Sequence, residues 1–260
     1  MSIKKSKRPI NDHSFLIQDK IRDKLARKKK LIRLKETYKT REIINRNTDK
    51  FWNSHIEGMH KFKKQSEMTK DRINAAIKFV NKKSGKLLDI GFGHGFIEKK
   101  LIKKKENIQL YGIDISKKAI TKINKSVKGF FKKGSVLKIP FSANTFDTVM
   151  VLEVLEHIQA YNAFLAYKEI KRVLKGDGEL IISVPVYENY SEKFNPNRHI
   201  RSYTPALFLT ELKLAGFRVT KLKRFYAFSK YYKLKNSLKY ILKNRWKENI
   251  LLVSCDINQK

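Results

Sequence analysis

The sequence predicts an α/β fold: a doubly wound, mostly parallel seven-stranded sheet that carries a basic N-terminal helical extension. Three observations predict it. From residue 86 onward, short apolar segments alternate with helix-periodic ones, and a βαβ series of that kind builds a parallel sheet covered by helices on both faces. The first apolar segment runs into a glycine-rich turn, Asp89–Gly95. Ahead of the series, residues 14–46 hold no glycine or proline and are rich in Lys and Arg.

Taken in order, residues 1–12 read as a basic tail. Over Ser14–Arg46, Ile17, Ile21, Leu25, Ile32 and Leu34 recur at roughly helical spacing, and Lys28, Lys29 and Lys30 interrupt their face. That pattern predicts a largely solvated basic helix or helix pair. Glu67–Asn81 places Ile73, Ala76, Ile77 and Val80 on one face of a second helix. Strands are expected at Leu87–Ile90, Gln109–Ile113, Gly129–Lys133, Thr148–Leu152 and Glu179–Val184. Helices are expected at Phe96–Lys104, Lys117–Ser126, Tyr161–Leu174 and Pro205–Ala215. The run Leu180–Val186 does not alternate, as suits a strand buried on both sides. Phe217–Phe225 and Asn249–Asp256 complete the seven strands. Between them Tyr231, Leu234, Leu238, Ile241 and Leu242 mark a basic helical insert at about residues 229–247. The expected organisation is a basic helical arm at 1–50, a helical cap at 51–85 and a core at 86–260.

Composition bounds the function. The 260 residues include 59 Lys+Arg and 24 Asp+Glu, a net charge of +35, and 41% are hydrophobic, which is enough to build a core. No run approaches the roughly 18 apolar residues that span a bilayer, and no apolar stretch follows the basic start as in a secretory signal. The lone Cys255 cannot pair internally, so a cytoplasmic protein is expected. The ends are the most basic parts, net +11 over residues 1–50 and net +9 over 221–260. Such a field attracts polyanions, either RNA or an anionic membrane surface, and would hold the protein at their periphery. A lysine-rich composition accounts for the charge equally well.

The glycine turn Gly91-Phe92-Gly93-His94-Gly95 sits where a strand ends and a helix begins. Glycines there permit tight turns and close approach of a ligand to the backbone. The third glycine arrives one residue early for a dinucleotide fingerprint. The carboxylate of Asp89 suits a cationic ligand group better than a pyrophosphate. Asp114 ends the next strand, where an acid can accept both hydroxyls of a ribose.

With these residues the chain resembles the class I S-adenosylmethionine-dependent methyltransferases over about Thr69–Asp256. Leu87–Gly95 (LLDIGFGHG) resembles their first motif, Gly112–Ser116 (GIDIS) the ribose-binding acidic motif, and Gly134–Met150 the stretch that meets adenine. Val151–Ile158 (VLEVLEHI) resembles the segment after the fourth strand, and Arg172–Pro185 the turn into the fifth. Arg198–Phe217, with His199–Thr204 before Pro205, resembles the small-molecule O-methyltransferase branch. The resemblance implies a Rossmann-like methyltransferase core and S-adenosyl-L-methionine held by Asp89, Gly91, Phe92, Gly93, Gly95, Asp114, Ile115, Ser135, Val136 and Leu152. Ser135 departs from the aspartate usual at its position. Trp52, His55 and His60 could form a lid or an interface.

Glu153, Glu156 and His157 follow the fourth strand. In a helical turn their spacing would place all three on one side, able to bind a divalent cation. The set resembles the Glu-x-x-Glu-His of ubiquinone-pathway O-methyltransferases and of the enzymes that methylate the terminal 2′-hydroxyl of small RNAs, with His199 as a further ligand. Without a metal, His157 or His199 would act as catalytic base. The expected activity is O-methylation of a small molecule, lipid precursor or glycan. A 2′-O RNA methyltransferase and a non-catalytic cofactor-binding scaffold are the alternatives.

Overall fold

The structure, a computed structural model, describes residues 26, 28–38, 45, 47–58, 65–81, 84–104, 107–188, 195, 197–228, 231–238, 241 and 246–258. Residues 1–25, 27, 39–44 and 46 of the expected tail and arm, His60, and residues 229, 230, 239, 240 and 242–245 of the expected insert lie outside them. The chain divides into two units, Met1–Arg41 and Glu42–Lys260. In the first, residues 28–38 form helix α1, with Lys28, Lys29 and Lys30 exposed. The division falls earlier than the expected boundary at residue 50. The reason is local bonding: Asn47 donates to the Arg198 carbonyl at 2.9 Å, and Asp49 pairs with Lys133 at 3.3 Å, so both residues go with the core.

The second unit begins with α2 (Asp49–Gly58) and α3 (Glu67–Phe79), and Ser66 caps α3 by accepting from the Thr69 amide. The series then runs β1 (Gly85–Ile90), α4 (Phe96–Lys104), β2 (Ile108–Asp114), α5 (Lys117–Asn124), β3 (Phe130–Lys133), β4 (Phe146–Leu152), α6 (Ala163–Val173), β5 (Leu174–Pro185), α7 (Pro205–Ala215), β6 (Phe217–Phe225), α8 (Tyr232–Leu238) and β7 (Ile250–Ile257). One seven-stranded sheet results, in the order β3-β2-β1-β4-β5-β7-β6. Only β7 runs antiparallel to its neighbours β5 and β6 among these pairings.

The middle of the sheet carries the core. Val149, Met150, Val151, Leu180, Ile181 and Ile182 are fully buried. Each such side chain stabilises the fold by roughly 1.5–3 kcal/mol relative to exposure. Helix α7 has both of its sequence signals in place: Thr204 caps its start, Pro205 occupies its first turn, and Gly216 ends it at φ 88°.

Several boundaries differ from expectation by one or more residues, among them those of β5 and α6. β5 begins at Leu174 rather than Glu179, because Gly176-Asp177-Gly178 reads as a turn yet runs on in strand conformation. The helix expected from Tyr161 starts at Ala163, after a 3-10 turn at Ala160–Asn162. The chain steps from β1 outward to β2 and β3, then returns to place β4 on the other side of β1. That reversal opens a crevice beyond the carboxyl ends of β1, β2 and β4, the place where open α/β sheets take ligands.

Candidate active site

The crevice is a cleft of about 860 Å³. At one end, β1 delivers Asp89 and the glycine turn. Gly91, Gly93 and Gly95 all have positive φ, at 76°, 56° and 68°. Their roles differ. A Cβ on Gly91 would strike Val154, and one on Gly95 would strike Ile123, whereas one on Gly93 would meet nothing within 4 Å. Gly93 therefore leaves open space on the cleft side, where a ligand can lie against the backbone.

β2 delivers Asp114, which accepts from the Gly93 amide at 3.0 Å and from the Ser116 amide at 2.8 Å. Burial raises its pKa above the ordinary carboxylate value, and these amides pull it back down. Phe92, Ile115, Ser135, Val136 and Leu152 also line the cleft. Phe92 packs its ring edge-on to Phe131 at 5.3 Å, so it serves the core as well. Ser135 Oγ accepts from the Leu137 amide at 3.2 Å. Nine of the ten residues expected at the cofactor thus line one cleft, and Gly95, the tenth, does not line it but makes room for Ile123.

Helix α3 adds a residue that the sequence reading did not single out. Arg72 faces the cleft and pairs with Glu153 at 3.3 Å. Its Nε is buried and has no hydrogen-bond partner among the described residues.

The other end is built after β4. Glu153 is not in a helix: it takes φ 57°, and only Leu155–His157 form a 3-10 turn. The expected one-sided arrangement of Glu153, Glu156 and His157 is therefore corrected. The carboxylate of Glu153 goes instead to the Ser183 hydroxyl, at 2.8 Å, and to Arg72. Glu156, His157 and His199 do converge, each offering one ligating atom, and these atoms lie within 4.8 Å of one another. The backbone assembles them, because the Glu156 carbonyl accepts from the amides of Ile200 and Arg201 at 2.9 and 3.1 Å.

The electrostatics of this group are unusual. Glu156 is fully buried, and neither carboxyl oxygen has a hydrogen-bond partner among the described residues. Burial, and then the Glu153 charge, push its pKa well above the usual carboxylate value. His157 is pushed down to about 3, first by burial and then by His199, so its ring is neutral. Its Nδ1 is buried without a hydrogen-bond partner. The rings of His157 and His199 stand 4.7 Å apart, and Trp52 packs edge-on to His157 at 4.8 Å. His199 Nδ1 lies 2.5 Å from Glu188 Oε2. Glu188 had no signal in the sequence, since it stands in the loop after β5 outside any motif. Trp52 and His55, both on α2, line the cleft.

Orphaned lone pairs on Glu156 and His157, next to an oriented imidazole, are a donor set that suits a divalent cation of the zinc or manganese type. Among the described residues no helix is long and apolar enough to cross a membrane.

Residues 88–182 match the methyltransferase domain family. The protein MJ0638 of Methanocaldococcus jannaschii is 32% identical over 144 residues, 55% of this chain and 59% of that protein. The chain thus matches less than two thirds of that relative's length. YrhH of Bacillus subtilis is 29% identical over 51% of this chain and 76% of its own. Among solved structures, an S-adenosylmethionine-dependent methyltransferase from Archaeoglobus fulgidus superposes with a TM-score of 0.59 at 17% identity, covering 77% of this chain and 98% of that one. At that identity the last likeness speaks to the fold.

Proposed function

We propose that the chain is a class I S-adenosylmethionine-dependent methyltransferase, a reading that the match of residues 88–182 to the methyltransferase domain family supports, and that it methylates a hydroxyl of a small molecule, lipid precursor or glycan. The observation that carries cofactor use is Gly93: its missing side chain leaves open space beside an Asp114 carboxylate fixed by two amides. When bound, S-adenosylmethionine supplies a methyl group on a positively charged sulfur, already activated for in-line displacement. Asp114 would accept the ribose hydroxyls and Asp89 the α-amino group. Arg72, with its buried Nε, would take the α-carboxylate. Ser135 would meet the adenine edge.

The acceptor end supports a hydroxyl. Glu156, His157 and His199 would hold a divalent cation there, whose Lewis acidity lowers the pKa of a bound hydroxyl. A metal-free version is favoured by one contact: Glu188 holds and orients the His199 ring, which would act as the base. Trp52 packs edge-on to His157 at this end. The charge of residues 1–41 supports contact with a polyanion; deleting them should flatten the salt dependence of RNA or anionic-vesicle binding.

Methyl-labelled S-adenosylmethionine incubated with the protein and fractionated cell extract tests the reading. Label is expected in a low-mass or lipid fraction. Label found in RNA, or no transfer with any fraction, would contradict it. A chelator separates the two acceptor-site versions: it abolishes transfer in the first and leaves it in the second.

A further inference from the structure

The insert between β6 and β7 stands at the mouth of the cleft. Its two feet, Ala227 and Asn249, are exposed residues that line the cleft, and the Ala227 amide donates to Asn249 Oδ1 at 2.7 Å. Helix α8 is pinned to α3 on the same rim. The Tyr232 hydroxyl donates to Asp71 Oδ2 at 2.9 Å, and the neighbouring Arg72 lines the cleft. The Lys247 ammonium lies 5.7 Å from the ring centre of Tyr187, another cleft residue. Phe228 packs edge-on to Trp246 at 5.2 Å and braces the two arms of the insert.

The outward side chains are apolar. Tyr231, Leu234 and Ile241 are 74%, 60% and 77% exposed. The Tyr231 carbonyl accepts from the Lys235 amide at 3.0 Å, so Tyr231 belongs to the first turn of α8 and shares a side with Leu234. The Ile241 amide donates to the Leu238 carbonyl at 3.0 Å in the turn that follows. Apolar side chains gathered in the open beside a cleft mark a contact with something less polar than water. The charge around them narrows what that is. Residues 229–247 contain six lysines, one arginine and no Asp or Glu. Leucine and isoleucine among lysines suit the headgroup layer of a bilayer: the apolar groups enter the acyl boundary, and the ammonium groups meet anionic headgroups. A nucleic acid would engage the lysines, but Leu234 and Ile241 have no flat face on which a base stacks.

We propose that the 229–247 insert is a membrane-docking surface that seats the mouth of the cleft on an anionic bilayer. The surface stands on its own geometry. Its consequence, that the acceptor is the lipid precursor and is presented at that bilayer, rests on the methyltransferase reading above.

Co-sedimentation of the full chain tests this with vesicles of phosphatidylcholine alone and with vesicles that carry about one third phosphatidylserine. The chain should bind the second and not the first. The double variant Leu234→Ser, Ile241→Ser leaves every charge in place, so the basic residues 1–41 attract the vesicles as before. Its binding should nevertheless weaken about tenfold. Ser237→Cys places an accessible thiol on α8, since Cys255 is fully buried. A polarity-sensitive dye on that thiol should shift to the blue on anionic vesicles, which decides the matter even if the double variant fails to fold. Undiminished vesicle binding by the double variant overturns the proposal, and so does sedimentation without a dye shift. Loss of poly-uridine binding in the double variant with vesicle binding intact would make the insert a nucleic-acid surface instead. Labelled S-adenosylmethionine, dialysed against the same preparations, separates the two readings. Cofactor binding without vesicle binding sinks this inference alone, whereas vesicle binding without cofactor binding removes the methyltransferase reading and leaves the docking surface.

Discussion

Glu188 Oε2 lies 2.5 Å from His199 Nδ1, and that contact fixes what the imidazole can do. A carboxylate beside Nδ1 favours the tautomer with the proton on that nitrogen and orients the ring. The loop is braced to keep it so, because Asn195 accepts from the His199 amide at 2.9 Å and donates to its carbonyl at 2.6 Å.

Replacing Glu188 with Gln should therefore lower methyl transfer by about 10–100-fold. Cofactor affinity should be unchanged, since Glu188 belongs to the acceptor end. Rates and dissociation constants measured on the same preparation check this. Equal loss in both would mean that the variant disturbs the whole cleft.

Asp114→Ala removes an acceptor held by two amides. Losing charge-assisted bonds to the ribose should cost about 1.5–3 kcal/mol of cofactor binding. Calorimetry reads this directly, and wild-type affinity in the variant would show that the ribose lies elsewhere.

The glycine turn offers a paired test. Gly93→Val adds atoms to open space, so cofactor binding should vanish while the loss of stability stays near the ~1–2 kcal/mol of a left-handed non-glycine residue. Gly95→Val drives a branched side chain into Ile123 and should destabilise the fold further. Melting curves with and without ligand separate the two effects. The account of the turn fails if the Gly93 variant binds as wild type.

Cys255 is fully buried on β7, and burial pushes its thiol well above the ordinary value. The native protein should resist a thiol reagent near neutral pH and react only as it unfolds. Rapid labelling of the folded protein would place Cys255 at the surface.

Much of this arrangement was legible in the sequence, and for identifiable reasons. Phe96–Lys104, Pro205–Ala215 and Phe217–Phe225 have the bounds their patterns predict, because caps, prolines and glycines are local signals. The end of the cleft proposed for the cofactor was legible as a place because one continuous turn and one strand end carry most of it. The acceptor end was not. Glu153 and Glu156 look alike as a spacing, yet the positive φ at Glu153 turns it toward Ser183 and Arg72, and Glu156 alone joins the histidines. Arg72 and Glu188 act through partners outside their own elements, and nothing in their neighbouring residues announces this.

The central claim is that the cleft beside Gly93 is a cofactor site. A crystal structure of the chain with S-adenosylhomocysteine tests it most directly. The account predicts the ribose hydroxyls on the Asp114 carboxylate, the α-amino group on Asp89 and the ligand chain against the Gly93 backbone. A ligand bound elsewhere, or a ribose without contact to Asp114, would contradict it.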